Sequence, residues 1–278
     1  MNETPITINH LQFDLQDVSD ISSFLNLDED YVLNHLINYQ PSEMANDWRR
    51  NNPKTARDMR NFYAKTELYI WELTKWHTSS LYEFRIAATK FVLENYPKLT
   101  HPRVLDYGCG IGTISLNFAE KDYQTTIADI PGRTLEYAKY RFSRRNLPVK
   151  VYDIKEDFDV PNEPFDIIIC VDVLEHLSYP VKTIHRLARI LRPGGLAVVF
   201  AAWDRNENYP HHLEDNCRLY GDTGNWWVYM NAEGLSEIHP LIYLKTGGIR
   251  LLARKIRFQI WKSTGYFLTR IPRFPEDR

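Results

Sequence analysis

Residues 104–115 read Val-Leu-Asp-Tyr-Gly-Cys-Gly-Ile-Gly-Thr-Ile-Ser, and this pattern carries more chemical information than any other in the chain. An apolar strand is predicted to end at Asp106, and glycines follow at alternate positions, at Gly108, Gly110 and Gly112. Glycine lets the backbone turn sharply and lets a ligand approach where a side chain would block it. Such a turn between strand and helix is where open α/β sheets bind nucleotide-like ligands.

The spacing of the glycines and the carboxylate before them favour a cationic ligand over a dinucleotide. A dinucleotide fingerprint, G-x-G-x-x-G, would place its third glycine at 113, where this chain has Thr113; the third glycine is Gly112. The Asp106 carboxylate would repel a pyrophosphate and attract a positive charge. S-adenosylmethionine (SAM) carries a sulfonium and an ammonium group and no phosphate, so the pattern favours SAM as the ligand.

The elements that must position this turn alternate in type from residue 103 onward. Short apolar strands are predicted at 103–107, 124–129, 149–153, 165–171 and 195–203. Amphipathic helices are predicted between them, at 112–121, 132–145 and 180–191. This alternation is typical of a parallel sheet covered by helices on both faces. Before it, the first 98 residues are predicted to be mostly helical, with helices at 28–39, 55–76 and 81–96.

The motifs in this region resemble those of the class I SAM-dependent methyltransferases. The pattern D-x-G-x-G-x-G resembles their first motif, Asp-Val-Leu-Glu-His-Leu at 172–177 resembles the segment after their fourth strand, and Arg-Ile-Leu-Arg-Pro-Gly-Gly-Leu at 189–196 is also typical of them. The similarity covers about residues 100–203, and the first motif and the 172–177 segment also resemble ubiquinone-pathway-like O-methyltransferases. It implies an α/β fold: a doubly wound, mostly parallel seven-stranded, Rossmann-like sheet. The predicted N-terminal helices would form a helical cap on it.

The resemblance also implies which residues hold SAM. Asp106 and the three glycines would hold the methionine part, and Asp129 would hold the ribose; an acidic residue about twenty positions past the glycines can accept hydrogen bonds from both ribose hydroxyls. Asp153 would contact the adenine amino group, and Ile154 would pack on the ring. The predicted cofactor-binding set is Asp106, Gly108, Gly110, Gly112, Asp129, Ile130, Asp153, Ile154 and Val171.

Four residues are candidates for work at the methyl acceptor. In-line transfer requires the acceptor atom about 3 Å from the methyl carbon, and a hydroxyl acceptor usually needs a base or a metal to take its proton. The candidates are Glu175, His176, His211 and His212. Alternatively, the Glu-His pair makes only local hydrogen bonds, and the two later histidines are loop residues.

A divalent metal is an open possibility at the same residues. Asp172, Glu175 and His176 form D-x-x-E-H, which is similar to the cation-binding E-x-x-E-H of ubiquinone-pathway and small-RNA methyltransferases, with Asp one methylene shorter at the first position. The pair at 211–212, with Glu214 and Asp215, could add a ligand for Mg, Mn or Zn. The segment 204–227 should shape an acceptor pocket with aromatic side chains, or these should pack on the N-terminal helices: Tyr209, Trp226, Trp227 and, just beyond, Tyr229.

Composition places further bounds on function. The chain has 278 residues, 44% of them hydrophobic, and a formal net charge of −2, which gives no global attraction to nucleic acid. Cys109, Cys170 and Cys217 are scattered and suggest reduced thiols. Because the N-terminus also lacks the pattern of a secretory signal, we expect a cytoplasmic protein.

Charge is unevenly distributed between the two ends. Residues 1–48 contain nine acidic and no basic side chains, whereas 249–273 contain seven basic and no acidic ones. The two ends could lie against each other, or each could be solvated. The mixture of basic and apolar residues at 249–278 suits an amphipathic helix on an anionic membrane surface or a nucleic acid, or a helix packed on the body.

These inferences predict a helical cap or lid at 1–98, a SAM-binding domain at 99–248 and a basic amphipathic extension at 249–278. The predicted activity is methyl transfer from SAM to a small molecule, with oxygen favoured as acceptor atom, and a lipid-linked acceptor if the extension binds membranes. The alternatives are N-methylation, RNA 2′-O-methylation, a non-catalytic SAM-binding partner subunit and an NAD-dependent oxidoreductase. The sequence leaves the oligomeric state open.

Overall fold

The computed structural model describes residues 6–8, 11–79, 82–95, 101–222 and 225–264. The first two strands, β1 (Ile6–Ile8) and β2 (Leu11–Phe13), form an antiparallel pair by themselves. Most of the predicted basic extension at 249–278 lies outside the residues whose side chains are described, and residues 265–278 lie outside the described residues altogether.

A seven-stranded mixed sheet forms the centre of the molecule, in the order β5-β4-β3-β6-β7-β9-β8. The strands β3 to β7 are mutually parallel, and the β9–β8 edge is antiparallel. The bounds are β3 Arg103–Tyr107, β4 Gln124–Asp129, β5 Lys150–Asp153, β6 Phe165–Val171, β7 Leu191–Phe200, β8 Leu235–His239 and β9 Ile242–Lys245. The predicted α/β, doubly wound fold is therefore confirmed.

Strand residues alternate between two buried faces of this sheet. Leu105 and Ile168 belong to one apolar cluster, whereas Val104 and Ile167 belong to another. Since successive side chains of a strand point to opposite faces, both faces are covered. The covering helices are α6 Glu83–Asn95, α7 Thr113–Ala119, α8 Arg133–Arg144 and α9 Pro180–Ile190.

The first six helices, which we call the helical cap, precede the sheet. The five that come before α6 are α1 Leu15–Leu25, α2 Glu29–Asn38, α3 Pro41–Asn51, α4 Ala56–Lys65 and α5 Leu68–His77. The helix predicted at 55–76 is broken into α4 and α5. Thr66 has an extended backbone there, and its Oγ1 accepts the N–H of Leu68 at 3.2 Å, which replaces a helical hydrogen bond.

Acidic residues of α1 attach the helical cap to α8, one of the helices that cover the sheet. The Nη1 of Arg145 donates to Asp20 at 2.5 Å, and the Nη2 of Arg141 donates to Asp17 at 2.5 Å. Asp20 is completely buried, so this network is shielded from solvent. It joins α1 to α8, the helix that follows β4.

Shorter elements complete the chain beyond the parallel strands. After β6 a single turn of 3-10 helix spans Leu174–His176, and after β7 a loop leads to α10 (Glu214–Asn216) and a π-helical turn. The last helices are α11 (Trp226–Ala232) and α12 (Gly248–Thr264). None of the helices in the described part of the chain is long and apolar enough to cross a bilayer.

Candidate cofactor and acceptor site

A cavity opens at the carboxyl ends of β3, β4 and β6, where the strand order reverses. It encloses about 1110 Å³ of empty space, part of which is open to solvent. Its floor consists of the turn after β3 and the ends of β4 and β6, and its roof consists of α4 and α5 from the helical cap. In doubly wound sheets this crevice is the usual place for a ligand.

The glycine turn forms one wall of the cavity. A Cβ on Gly108 would lie 2.4 Å from Cγ2 of Val173, and both Gly108 and Gly110 have positive φ angles, +71° and +53°. Only glycine therefore fits at Gly108 without displacing Val173. Gly112, also predicted to bind SAM, caps the start of α7 and lies behind the residues that line the cavity.

Asp106 lines the cavity from the end of β3. Its side chain is almost fully buried, and its Oδ2 accepts a hydrogen bond from Ser115 Oγ at 2.5 Å. Burial raises the pKa of this carboxyl to about 7, and the charge of Asp129 nearby adds to the effect. A cationic ligand beside Asp106 would favour the ionised form and restore a lower pKa.

Asp129 lines the cavity from the end of β4. Its Oδ2 accepts the N–H of Gly110 at 2.7 Å, and its Oδ1 accepts the N–H of Ile130 at 2.7 Å. Burial raises its pKa to about 6, while these two hydrogen bonds act in the opposite direction. Each carboxylate oxygen keeps a second acceptor site, so a ribose diol could still be bound.

The remaining predicted cofactor-binding residues differ in whether they line the cavity. Ile130, Ile154 and Val171 line the cavity, whereas Asp153 is exposed and lies outside its lining. A carboxylate that sequence reasoning missed, Asp157, lines the cavity instead. It is buried, and it accepts the backbone N–H of Ser178 at 2.6 Å and a hydrogen bond from Arg60 of α4 at 3.3 Å.

Aromatic side chains of the helical cap and of the segment before α6 also line the cavity. They are Tyr63, Tyr69, Trp76 and Tyr82. The expectation that the loop after β7 supplies the aromatic lining is wrong: none of the four aromatic residues predicted there is among the residues that line the cavity. Trp226 packs instead on Trp203, with ring centroids 5.0 Å apart. The helical spacing of aromatic residues in 55–76 was the sequence signal for the observed lining.

Of the four predicted catalytic residues, only His176 lines the cavity. Its Nδ1 lies 3.3 Å from the hydroxyl of Tyr63 and 3.3 Å from the carbonyl oxygen of His211. His211 and His212 are buried behind it, away from the cavity lining. Burial lowers the pKa of all three rings, so they are neutral at physiological pH.

Glu175, the fourth predicted catalytic residue, is turned away from the cavity. It is fully buried, and its Oε1 accepts the N–H of Ala202 at 2.9 Å. Burial, with a contribution from Asp172, raises its pKa well above the usual range. This geometry suits a group that fixes the end of β7, and it does not support a base at the acceptor.

The carboxylates of the predicted D-x-x-E-H metal set do not group with the histidines. Asp172 forms an ion pair with Arg85, with Nε and Oδ2 2.6 Å apart. Glu214 and Asp215 are exposed and pair with Arg205 and Arg218. The mixed carboxylate–imidazole site therefore does not fit this arrangement. The three histidines do meet, with one ring nitrogen from each within 4.8 Å of the others.

Comparison with known proteins identifies the family of this chain. Residues 81–241, more than half of the chain, match the family model described as a methyltransferase domain. The chain belongs to this family. The match confirms the resemblance to class I SAM-dependent methyltransferases, and it argues against the NAD-dependent alternative. It begins at residue 81, so it includes α6, which the sequence prediction had assigned to the cap.

Among curated proteins, similar chains carry the name ubiquinone biosynthesis O-methyltransferase. One from Azoarcus sp. is 29% identical over 116 residues, which is 41% of this chain and 49% of the relative. One from Alkalilimnicola ehrlichii is 32% identical over 106 residues, which is 37% of this chain and 42% of the relative. The chain thus spans about half the length of these relatives.

Two solved structures illustrate the structural comparison. A SAM-dependent methyltransferase from Clostridium acetobutylicum aligns with a TM-score of 0.36 and 22% identity, over 42% of this chain and 53% of that one. Coclaurine N-methyltransferase aligns with a TM-score of 0.37 and 25% identity, over 43% of this chain and 36% of that one.

Proposed function

We propose that this protein transfers the methyl group of SAM to an oxygen atom of a small, ring-bearing acceptor. The observation that carries the proposal is one continuous cavity whose lining contains two chemically different groups of residues. One group, which we call the carboxylate end, is the glycine turn with Asp106 and Asp129. The other, which we call the histidine end, is Tyr63 and Tyr69 with His176. A donor and an acceptor placed at these ends would meet within a single enclosure.

The carboxylate end suits SAM. Asp106 is a buried carboxylate that gains from a neighbouring positive charge, and SAM supplies both a sulfonium and an ammonium group. Asp129 is placed at the end of the next strand to accept the ribose hydroxyls. Gly108 and Gly110 let the backbone approach the ligand closely. Asp153 stays a prediction from the resemblance, since its side chain lies outside the cavity lining.

The histidine end favours oxygen as the acceptor atom. A hydroxyl group must lose its proton around the moment of transfer, whereas a neutral amine can attack first and lose its proton afterwards. His176 offers a neutral imidazole at the cavity wall, with two more imidazoles behind it. The names of the curated relatives agree with O-methylation. The protein's part in the reaction is to hold donor and acceptor in line and to provide for that proton.

Product analysis with labelled SAM tests both parts of the proposal. The protein would be incubated with metabolite extract and SAM carrying ¹³C in its methyl group, and products would be followed by mass spectrometry and carbon–proton NMR. We expect a product that has gained one labelled methyl group and whose methyl shift is that of a methyl ether. A labelled N-methyl product would contradict oxygen as the acceptor atom. SAM binding without any labelled product would indicate the non-catalytic partner subunit.

A lipid-linked acceptor is a further part of the proposal, and it depends on α12. Its described portion carries Arg250, Arg254 and Lys255, and Leu252 is 58% exposed. Such a helix suits an anionic membrane surface. Co-sedimentation with anionic vesicles but not with neutral ones is expected. A salt-dependent shift on mixing with RNA, with no vesicle binding, would instead favour the RNA 2′-O-methyltransferase alternative.

A further inference from the structure

Three histidines from two separate segments meet at the histidine end of the cavity. His176 ends the 3-10 turn after β6, whereas His211 and His212 lie in the loop after β7. The ring centroids are 4.9 to 5.2 Å apart in all three pairs. The loop is tied to the 3-10 turn, because the N–H of Leu213 donates to the carbonyl of Glu175 at 3.0 Å.

Hydrogen bonds orient two of these rings as metal ligands. The Nδ1 of His176 faces the carbonyl of His211, and the Nδ1 of His212 faces the carbonyl of Asp204. A carbonyl only accepts, so the Nδ1 of His212 must carry the proton and its Nε2 must carry a lone pair. His176 has the same tautomer when its Nδ1 donates to the carbonyl of His211 and does not accept from the Tyr63 hydroxyl, which also lies 3.3 Å away. Metal-binding histidines generally show this arrangement, in which one ring nitrogen donates to a backbone carbonyl and the other binds the ion.

The third ring has an unsatisfied polar atom. His211 is 3% exposed, and its Nδ1 is buried without a hydrogen-bond partner among the described residues. Leaving a buried nitrogen without a partner is unfavourable. Aromatic residues of the cap surround this ring, with Trp48 at 6.0 Å and Tyr69 at 6.2 Å between ring centroids. A metal ion among the three rings could be coordinated by this nitrogen.

We propose that His176, His211 and His212 bind a transition-metal ion of the Zn²⁺ or Co²⁺ type through three neutral imidazoles, with an open position toward the cavity. Imidazole ligands select such ions, whereas Mg²⁺ prefers carboxylate and water oxygens. The site differs from the D-x-x-E-H set, because Asp172 is paired with Arg85 and Glu175 with the N–H of Ala202.

The geometry requires a modest contraction when the ion binds. Nitrogen ligands about 2.0–2.1 Å from a tetrahedral ion lie roughly 3.3 Å from one another. The ring nitrogens here lie within 4.8 Å of one another, so rotations of side chains suffice. The open position follows from His176, the one ligand that also lines the cavity. If the proposed function holds, an acceptor hydroxyl bound at that position would have a lowered pKa.

Metal titration of the full-length protein tests this site without any substrate. The protein would be stripped with a chelator, dialysed, and titrated with Co²⁺ while its visible absorption is recorded, and with Zn²⁺ in a calorimeter. We expect one equivalent of each ion to bind, and His212→Ala to weaken binding at least tenfold. The matched control is His185→Ala on α9. It removes a histidine that pairs with Glu233 and lies outside the cluster.

Three outcomes would overturn the site: no binding of either ion by the wild-type protein, equal binding by wild type and His212→Ala, or Mg²⁺ binding that is lost in Glu175→Gln and kept in His212→Ala. Circular dichroism would verify that each variant is folded. His211→Ala provides a second deletion at a different ring. Since no SAM is present, the result is independent of turnover: a protein that binds Zn²⁺ but yields no labelled product would contradict the proposed function and leave the metal site standing.

Discussion

Two carboxylates at the ends of adjacent strands differ in what they already bind. Asp106 accepts a hydrogen bond from a side chain, whereas Asp129 accepts two from the backbone of the loop segments around it. The hydrogen bond from Gly110 to Asp129 couples the glycine turn to the ribose end of the cavity. Loss of Asp129 should therefore affect both the turn and the direct contact with SAM.

Replacing Asp129 with Ala should weaken SAM binding by about 1–3 kcal/mol, because the ribose hydroxyls and the N–H of Gly110 lose their acceptor. Isothermal titration calorimetry with SAM measures this difference. The control is Glu136→Ala, which removes an exposed carboxylate on α8 and should leave the affinity unchanged. Equal affinities of wild type and Asp129→Ala would refute the role of Asp129.

The close approach at Gly108 gives a second test at residue scale. Gly108→Ala would place a Cβ 2.4 Å from Val173, whereas Gly194→Ala, also at positive φ (+83°), would meet nothing within 4 Å. Both substitutions carry the backbone cost of roughly 1–2 kcal/mol in stability. Only Gly108→Ala should reduce SAM affinity, by tenfold or more, in the same calorimetric assay. A similar loss in both variants would mean that strain alone, and not the shape of the turn, is responsible.

The residues of the glycine turn could be predicted because a short local pattern encodes them. Asp157 and the pairing of Asp172 with Arg85 could not, because Arg85 lies 87 positions from Asp172 and only the fold brings them together. The three histidines are an intermediate case. The sequence shows them as candidates, but the stacking of His176 on His211 depends on how a loop returns to the end of β6.

Ion pairs between α1 and α8 hold the helical cap on the sheet domain. Asp20 is completely buried and accepts a hydrogen bond from Gln16 in addition to its contacts with the arginines of α8. The parallel strands and the helices between them could be predicted to within a few residues, because their apolar periods are regular, whereas β8 and β9 were not predicted. In the cap, α2 and α6 match predicted helices. In contrast, α3 has no long apolar stripe, and the break at Thr66 depends on a side-chain hydrogen bond.

Asp20→Ala should detach α1 from α8. Removing one partner of a buried ion pair leaves uncompensated charge and costs about 3–5 kcal/mol. Chemical denaturation should show this loss in the free energy of unfolding, together with faster hydrogen exchange in α1. The control is Glu214→Ala, whose exposed pair with Arg205 should contribute less than about 1 kcal/mol. Equal stabilities of the two variants would show that the network does not hold the cap.

At the scale of the whole molecule, the cap and the sheet bury carboxyl groups whose ionisation opposes folding. Burial raises the pKa of Asp106 to about 7 and that of Glu72, in α5, to about 8. Asp106 faces Ser115, Asp129, Cys109 and Tyr82. The Oε2 of Glu72 is buried and has no hydrogen-bond partner among the described residues. Burial of these carboxyl groups therefore destabilises the ligand-free protein when they ionise.

The sign of the resulting pH dependence follows from linkage. The pKa values of Asp106 and Glu72 are higher in the folded protein than their ordinary values of 3.8 and 4.5, so their stabilising contribution is present at low pH and lost as pH rises through about 7 and 8. Each group changes the free energy of unfolding by at most about 1.4 kcal/mol per pH unit. The buried histidines do not interfere above about pH 7, because they are neutral in both states there.

Ligand-free protein should therefore become less stable between about pH 7 and 8.5, and SAM should reverse part of this loss, because its positive groups favour ionised Asp106. Denaturation curves at both pH values, with and without SAM, measure the effect. Asp106→Asn should reduce both the pH dependence of the ligand-free protein and the additional stabilisation by SAM at the higher pH. Glu72→Gln should reduce only the first, since Glu72 is not among the residues that line the cavity. Stabilisation by SAM that is equal at both pH values would mean that the positive groups of SAM do not lie beside Asp106.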